Sequence, residues 1–136
     1  MNPANPTSPP TPTQTFFRPV GKKELELIQA SGMTAFPPRL FWQPIFYPVL
    51  TEPYATQIAR DWNTVDEASG FEGHVTRFHV DAAFVARYPV QRVGSKDALE
   101  LWVPAEELAA FNAAIVGPIE VIATYRGPKA AQPAQG

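Results

Sequence analysis

Apolar residues recur along this chain with two different periods, which predict strands in some segments and helices in others. Six short apolar runs have the length and composition of strands: 16–19, 45–50, 75–80, 90–93, 99–103 and 119–125. Two segments have the spacing of an amphipathic helix: 22–31, with Leu25 and Ile28 on one face, and the segment capped by Thr51, with Tyr54, Ile58 and Trp62.

Proline, glycine and aspartate mark where the remaining elements begin and end. Gly32 is expected to stop the first helix, and residues 94–97 to turn a hairpin between 90–93 and 99–103. Two further helices are expected: one capped by Asp81 that packs Phe84 and Val85, and one begun by Pro104 that carries Leu108, Phe111 and Ile115. Several connections are too short for parallel crossovers. The prediction is therefore one compact α+β domain with a mixed or antiparallel sheet and three to four helices.

The composition places this domain between two tails. Residues 1–15 hold five of the 16 prolines and no large apolar residue after Met1, which predicts a disordered, partly polyproline-like arm. Residues 127–136 are rich in Ala, Gln, Pro and Gly and predict a second disordered tail. The domain is expected over 16–126, which is long enough to bury a core.

Charge and motif content argue against several classes of function. The 11 Lys and Arg are scattered, the net charge is −2, and nothing favours nucleic-acid binding. The chain has no cysteine, which excludes thiolate nucleophiles and thiolate metal sites. His74 and His79 are five residues apart in one strand and point to opposite faces, so no metal site is predicted. No apolar run is long enough to span a membrane, and with no secretory signal a cytoplasmic location is expected.

The segment Glu100-Leu101-Trp102-Val103-Pro104 carries the most informative chemistry. Strand alternation puts Leu101 and Val103 on one face and leaves Glu100 and Trp102 together on the other. An acid beside an indole suits a cleft that holds a cation or a sugar hydroxyl. It equally suits a solvated sheet face, and the segment by itself does not decide between the two.

Three segments, in this order, resemble the ADP-ribosyltransferase superfamily, whose members split NAD+ at its nicotinamide–ribose bond. They are an arginine on the first strand in Phe17-Arg18-Pro19, an aromatic strand and alanine-bearing helix in Ile45–Val49 and Tyr54–Ala59, and the lone glutamate of Glu100–Pro104. Over most of 16–125 the chain also resembles a family of small bacterial proteins with a Phe-Pro-Pro-Arg-Leu loop and a Trp-Val-Pro-Ala-Glu-Glu-Leu segment. Some of those proteins are described in terms of ADP-ribosylation.

The resemblance implies NAD+ as the small-molecule partner and assigns roles to named residues. Glu100 is the candidate catalytic residue, stabilising positive charge on the ribose. Arg18 is expected to hold the dinucleotide, and Tyr47, or else Tyr54, to stack on nicotinamide. Trp102 is a further candidate platform beside Glu100. Ala98 stands where arginine-directed members have Glu or Gln, so the resemblance does not define the acceptor of ADP-ribose.

The proline-rich segment 33–44 suggests a second function class. It brings Phe36, Phe41 and Trp42 into one loop, and Arg39 with Gln43 suits a carboxamide, carboxylate or phosphate, which makes Arg39 a further candidate ligand-binding residue. The same aromatic residues could instead contact a protein partner in a non-enzymatic interaction module. A third alternative is an inactive member of the fold that keeps nucleotide affinity as a sensor.

Each candidate residue also has a purely structural interpretation. Glu100 can be a solvated strand residue and Trp102 plain packing. Arg18 can form an ion pair with Glu24 or Glu120, and the loop can fold its aromatic residues onto the core. The polar segment Asp61-Trp62-Asn63 can end a helix on the open surface or at the rim of a cleft.

Overall fold

Three long antiparallel strands form the centre of the fold in the computed structural model, which describes residues 12–130. β3 (Glu72–Asp81) lies between β1 (Thr13–Val20) and β7 (Ile115–Arg126). In the β1–β3 register Phe16 faces Phe78, and both are buried. The predicted strands at 16–19, 75–80 and 119–125 are confirmed as parts of these longer strands, since alternate residues bury one face.

The remaining elements are short, and they complete the α+β architecture predicted from the sequence. They are α1 (Lys22–Ala30), β2 (Ile45–Phe46), α2 (Glu52–Asp61), α3 (Ala82–Val85), β4 (Gln91–Arg92), β5 (Leu99–Glu100), β6 (Val103–Pro104) and α4 (Leu108–Ala113), with 3-10 turns at Asn63–Val65, Glu67–Ser69 and Ala105–Glu107. All strand pairs in the described residues are antiparallel.

Two isolated residue pairs extend the sheet beyond β1. Phe17 pairs with Val49, and Val49 pairs in turn with Glu100 of β5. β5 also pairs with β4, as the predicted hairpin around 94–97 requires. Glu100 is therefore joined to β1 through a single intervening segment.

The predicted strands 45–50 and 99–103 are each interrupted, although they pair in one continuous register. Ile45 faces Pro104, Phe46 faces Val103, and Val49 faces Glu100. Pro48 lies at the interruption and has no N–H to donate to Leu101, although its carbonyl accepts the Leu101 N–H, so regular pairing cannot continue there. Tyr47 and Trp102 hold the facing positions at the interruption, and both side chains are exposed.

The core is built mainly from phenylalanine side chains. Five of them are at most 2% exposed: Phe16, Phe36, Phe46, Phe78 and Phe111. The Phe36 ring lies 4.8 Å from that of Phe78 and 5.0 Å from that of Phe46, centroid to centroid. Each such pair adds about 0.5–1.5 kcal/mol beyond the area it buries. Because Phe36 belongs to the 33–44 loop, one end of that loop is part of the core.

Helix α2 packs on the opposite face of the sheet through small residues. Its buried side chains are Ala55 and Ala59, whereas the sequence predicted a stripe of Tyr54, Ile58 and Trp62. A Cβ at Gly73 of β3 would lie 2.3 Å from the Ala59 carbonyl oxygen, so the helix approaches β3 more closely than any other residue allows. The larger side chains of α2 are left at the edge of the sheet, where they line the cleft described below.

Several predicted boundaries and caps need correction, while one cap is confirmed. The Asp81 carboxylate accepts the Phe84 N–H at 3.2 Å, as predicted. The Thr51 hydroxyl does not cap α2 but donates to the Asp97 carbonyl. The helix predicted from Pro104 to Ile115 is only α4 with a preceding 3-10 turn, because Ile115 pairs with Val80 in the sheet. Strand pairing therefore outweighs the helical spacing there.

The predicted arm and tail fall largely outside the described residues. This applies to 1–11 of the arm and to 131–136 of the tail. The arm boundary is corrected, because Thr13–Thr15 pair with β3 as the first residues of β1. At the other end the Gly127 N–H donates to the Phe71 carbonyl.

Candidate functional site

Glu100 is a buried carboxylate whose two oxygens meet different donors. Its side chain is 9% exposed. Trp102, on the same strand face, donates its indole Nε1–H to Oε2 at 2.8 Å, and the Tyr54 hydroxyl donates to Oε1 at 3.5 Å. The sequence interpretation that placed Glu100 and Trp102 together is confirmed. The alternative of a solvated Glu100 is wrong, although Trp102 beside it is exposed.

Besides burial, the Glu100 carboxylate contributes to a raised pKa of the Tyr54 phenol. Burial raises the pKa of Tyr54, and Glu100 raises it further through its negative charge and by accepting the hydroxyl hydrogen. The hydroxyl therefore stays a neutral donor across the ordinary pH range. The site combines one carboxylate acceptor with two neutral donors.

Glu100 lies in a cleft of about 400 Å³, named here the carboxylate cleft. Most of its wall is aromatic or aliphatic, and its charged groups are one carboxylate and one guanidinium. The lining residues are Arg18, Pro19, Tyr47, Val49, Tyr54, Ile58, Val93, Glu100 and Trp102. Apolar walls with a few convergent polar groups are typical of small-molecule sites. Five of the six residues singled out from the sequence line this cleft.

Arg18 is less available than the sequence suggested. Its Nε and Nη2 donate to the two carboxylate oxygens of Glu24 at 2.7 and 3.0 Å, and Nη1 donates to the Tyr47 carbonyl at 3.3 Å. Its guanidinium also lies 4.7 Å from the centre of the Phe46 ring. Because the pair is largely buried, it is a structural ion pair rather than a solvated one. One N–H on each Nη remains for a ligand.

A second cleft, of about 540 Å³, adjoins the first and is named here the basic cleft. It shares Arg18, Pro19 and Tyr47 with the carboxylate cleft. Its other lining residues are Gly21, Lys23, Glu24, Pro37, Pro38, Arg39, Leu40, Gln43, Trp62, Asn63, Asp66, Ala68 and Ser69. The two clefts therefore adjoin at Arg18, Pro19 and Tyr47, and together they are named here the groove. One cleft contains the carboxylate of Glu100, and the other contains the cationic side chains of Lys23 and Arg39.

Arg39 contributes the more available guanidinium of the basic cleft. Its Nε donates to the Ile45 carbonyl at 3.1 Å, which fixes the side chain while leaving both Nη groups free of partners within the described residues. Burial lowers the pKa of Arg39, and the nearby positive charge of Arg18 lowers it further. The group stays charged near neutrality, and an anion between the two guanidiniums would relieve their repulsion. Gln43, the predicted companion of Arg39, instead accepts the Leu40 N–H.

Trp62, Asn63, Asp66 and Ser69 form one side of the basic cleft, and of these the sequence analysis did not single out Asp66 and Ser69. Asn63 donates Nδ2–H to the Ser69 hydroxyl at 2.8 Å, and that hydroxyl donates to Asp66 Oδ2 at 2.6 Å. The choice left open for Asp61-Trp62-Asn63 is resolved at Trp62 and Asn63, which line the cleft. The sequence signal is the run Asp61-Trp62-Asn63, and the position of these residues depends on where α2 ends.

The tip of the 33–44 loop is exposed, unlike Phe36 at its start. Phe41 is 93% exposed, and its ring meets that of Trp42 edge to face at 4.8 Å. Leu40 and Trp42 are also exposed. The loop therefore divides between core packing at Phe36 and an open aromatic surface at 40–42.

The histidines occupy separate polar clusters. His74 is buried, with Nε2 2.8 Å from Glu72 Oε1 and Nδ1 2.9 Å from the Thr124 hydroxyl. His79 lies on the opposite face, 2.8 Å from the Thr15 hydroxyl. Within residues 12–130 no three His, Asp or Glu side chains are grouped so that they could hold a metal ion.

No protein-family model and no curated protein matches this chain. In the part of the chain that the structure describes, no helix has the length and apolar character needed to cross a lipid bilayer.

Proposed function

We propose that this protein binds NAD+ along the groove formed by the two clefts and cleaves it at the nicotinamide–ribose bond, as ADP-ribosyltransferases do. The single observation that carries the proposal is the buried Glu100 carboxylate, held by Trp102 on one oxygen and lining an aromatic cleft. Nicotinamide in NAD+ is a cationic ring attached to a ribose with two hydroxyls. A carboxylate among aromatic side chains complements both parts.

Burial strengthens what Glu100 can do to the bound ribose. A carboxylate shielded from water interacts more strongly with a developing positive charge than one on the surface does. When the bond between ribose C1′ and the nicotinamide nitrogen breaks, the electron pair leaves with nicotinamide and positive charge develops on the ribose. Glu100 stabilises that charge, and its Oε1, with only the long Tyr54 contact, accepts the ribose 2′-hydroxyl.

The reaction is completed by an acceptor nucleophile. Water, or a nucleophilic side chain of an acceptor protein, attacks C1′ and releases its proton to solvent. Tyr47 and Trp102 face each other across the interrupted strand pair and are exposed beside Glu100, so both have the position of platforms for the nicotinamide ring.

The pyrophosphate of NAD+ is assigned to the cationic end of the groove. Arg39 supplies free Nη groups, and Arg18 supplies one remaining N–H on each Nη. A guanidinium can bind phosphate oxygens in a bidentate manner, which a solvated lysine does not do. In this proposal Arg39 rather than Arg18 makes the stronger phosphate contact.

Calorimetric titration of NAD+ tests binding through this contact. We expect NAD+ to bind the wild type and the Arg39→Gln variant to bind it about tenfold or more weakly, the loss expected for a charged hydrogen bond. Arg92→Gln removes an exposed arginine of β4 outside both clefts and serves as the matched control. The proposal would be contradicted if NAD+ at millimolar concentration gave neither heat nor thermal stabilisation. It would also be contradicted if Arg39→Gln and Arg92→Gln bound NAD+ with equal affinity.

A second candidate function, a protein-interaction module, is favoured by the near-complete exposure of Phe41 beside Trp42. Exposed aromatic residues at a loop tip are typical hot spots of protein interfaces. In that case a double variant, Phe41→Ser with Trp42→Ser, loses a complex that Glu100→Gln retains. The reverse pattern would contradict the module and support the nucleotide groove.

A further inference from the structure

Four prolines of the N-terminal arm, residues 1–12, recur at every third position. They are Pro3, Pro6, Pro9 and Pro12. Polyproline II has three residues per turn and rises about 3.1 Å per residue, so in that conformation the four rings lie on one face over about 28 Å. A face of this kind is typical of Pro-x-x-Pro ligands, which dock into sites lined by aromatic side chains. Residues 1–11 lie outside the part of the chain that the structure describes, so the face follows from the sequence alone.

The basic cleft has the lining that such a ligand needs. Tyr47 and Trp62 line it with side chains that are 38% and 56% exposed, and Leu40, also exposed, lines it as well. A proline-rich backbone has few N–H groups, and its carbonyl oxygens make no internal hydrogen bonds. Arg39 and Lys23 line the same cleft and carry N–H groups that can donate to those carbonyls.

The N-terminal arm is long enough to reach this cleft. Pro12 is exposed, and its carbonyl accepts the Ala82 N–H at 3.0 Å directly before β1 begins at Thr13. Pro19, near the other end of β1, lines the basic cleft and is separated from Thr13 by about 20 Å of strand. The arm from Pro12 back to Pro6 spans about 19 Å as polyproline II. An arm that runs back along β1 therefore brings Pro6 level with the cleft.

We propose that the N-terminal arm docks in the basic cleft of its own molecule as a polyproline II segment, with its proline face on Tyr47 and Trp62. The basic cleft is then a peptide-binding site as well as the site assigned to the pyrophosphate of NAD+. Both occupants need Arg39, so a docked arm competes with the dinucleotide. The inference goes beyond the proposed function, because the contact of the arm with the cleft needs no nucleotide.

Indole ¹H–¹⁵N signals of the full chain, recorded without NAD+, test this contact. The test variant replaces three prolines of the repeat: Pro3→Ala, Pro6→Ala and Pro9→Ala. We expect the Trp62 signal, assigned with Trp62→Phe, to change position in this triple variant, because the proline rings leave the indole. Pro10→Ala is the matched control, since Pro10 lies off the proline face, and it should leave the Trp62 signal in its wild-type position. The Trp42 signal should stay unchanged in both variants.

A synthetic peptide of residues 1–12 gives a second measurement. Added to the triple variant, the peptide should move the Trp62 signal toward its wild-type position. A peptide that carries the same three alanines should bind about tenfold or more weakly, because alanine lacks both the ring and the preset backbone of proline.

The inference is overturned if the Trp62 signal is the same in the wild type and the triple variant, or if Pro10→Ala moves it equally far. It is also overturned if the wild-type Trp62 signal depends on protein concentration, because the docked arm would then belong to a second copy. Should the triple variant fail to fold, nuclear Overhauser contacts between arm prolines and the Trp62 indole of the wild type decide: their presence supports the contact, and their absence overturns it. No nucleotide is present in these measurements, so their result is independent of the role proposed for Glu100.

Discussion

Glu72 and Glu100 are both buried carboxylates that bind a ring nitrogen, yet their surroundings differ in one decisive respect. Glu72 is 7% exposed and lies 2.8 Å from His74, which in turn bonds Thr124. Glu100 is 9% exposed and accepts from the indole of Trp102. Glu72 lines neither cleft, whereas Glu100 lines the carboxylate cleft.

The difference teaches that burial of an acid does not by itself indicate function. The Glu72 carboxylate and the His74 imidazole satisfy each other inside the fold, and His74 also bonds Thr124. Glu100 accepts hydrogen bonds from two neutral groups, the Trp102 indole and the Tyr54 hydroxyl, and has no cationic side chain in direct contact within the described residues. A cation at the ribose of a bound substrate would supply that partner.

The largest expected effect separates the two acids by activity. Glu100→Gln should lower the rate of nicotinamide release from NAD+ by about 100- to 1,000-fold, since it removes the charge that stabilises the transition state. Glu72→Gln should leave that rate within about twofold, because Glu72 lines neither cleft. Nicotinamide release measured by chromatography checks both, and a Glu100→Gln protein that keeps its activity would refute the role of Glu100.

The second expected effect concerns stability, and here the substitution of Glu72 matters more than that of Glu100. Glu72→Ala leaves the buried Nε2 of His74 without its partner and should lower the free energy of unfolding by about 1–3 kcal/mol. Glu100→Ala frees the indole N–H of Trp102, which is exposed enough for water to replace the carboxylate, and should cost less than about 1 kcal/mol. Urea unfolding curves of both variants give the comparison. Equal losses of unfolding free energy in the two variants would mean that Glu100 has a structural role.

A smaller effect is expected when only the Glu100–Trp102 hydrogen bond is removed. Trp102→Phe keeps an aromatic ring but has no N–H, so Glu100 loses the donor that orients Oε2. Nicotinamide release should fall about tenfold. Trp42→Phe is the matched control, since Trp42 lies on the exposed loop tip. A Trp102→Phe enzyme with unchanged rate would show that the indole does not position the carboxylate.

The smallest effect is a change in the titration of Tyr54. Burial and then Glu100 raise the pKa of this phenol, so Glu100→Gln should bring it closer to the ordinary tyrosine value without reaching it. Because the folded state holds the phenolic proton more tightly, this stability contribution is present below about pH 10 and is lost above it. Ultraviolet titration at alkaline pH, with Tyr54→Phe to identify the transition, measures the shift. Glu72→Gln should leave it unchanged.

A second tyrosine provides an internal reference for that titration. Burial, together with the hydrogen bond to Glu107, raises the pKa of Tyr88 to about 12. Tyr88 belongs to the Phe84 side of the core, away from Glu100. Its transition should be the same in the wild type and in Glu100→Gln, and a shift of both tyrosines would indicate a general loosening of the fold.

Local patterns in the sequence were sufficient for part of the fold and for the centre of the site. Strand alternation placed Glu100 and Trp102 on one face, and the position of Asp81 before Ala82 predicted its cap. Both depend on residues within a few positions of one another. The pairing of Arg18 with Glu24 was one of two alternatives, and Glu120 was the other; the structure shows Glu120 bound to Arg77 across β3 and β7.

The rest depended on contacts between distant segments. The α2 stripe was predicted wrongly because Gly73 allows Ala55 and Ala59 to approach the sheet, a fact that the helix sequence does not contain. For Trp62 and Asn63 the sequence left open whether they lie on the open surface or at the rim of a cleft, because the basic cleft that they line depends on distant segments. Its shape is set by the end of α2, the 33–44 loop and β1 together.

The three tryptophans make the central claim directly measurable, because each reports one surface. Trp102 lies in the carboxylate cleft, Trp62 in the basic cleft and Trp42 on the loop tip. In a ¹H–¹⁵N correlation spectrum each gives one indole signal, assigned by single Trp→Phe variants. We expect NAD+ to shift the signals of Trp102 and Trp62 and leave Trp42 unchanged, with the Trp102 shift reduced in Glu100→Gln. An NAD+ titration that moves none of them, or only Trp42, would contradict binding in the groove.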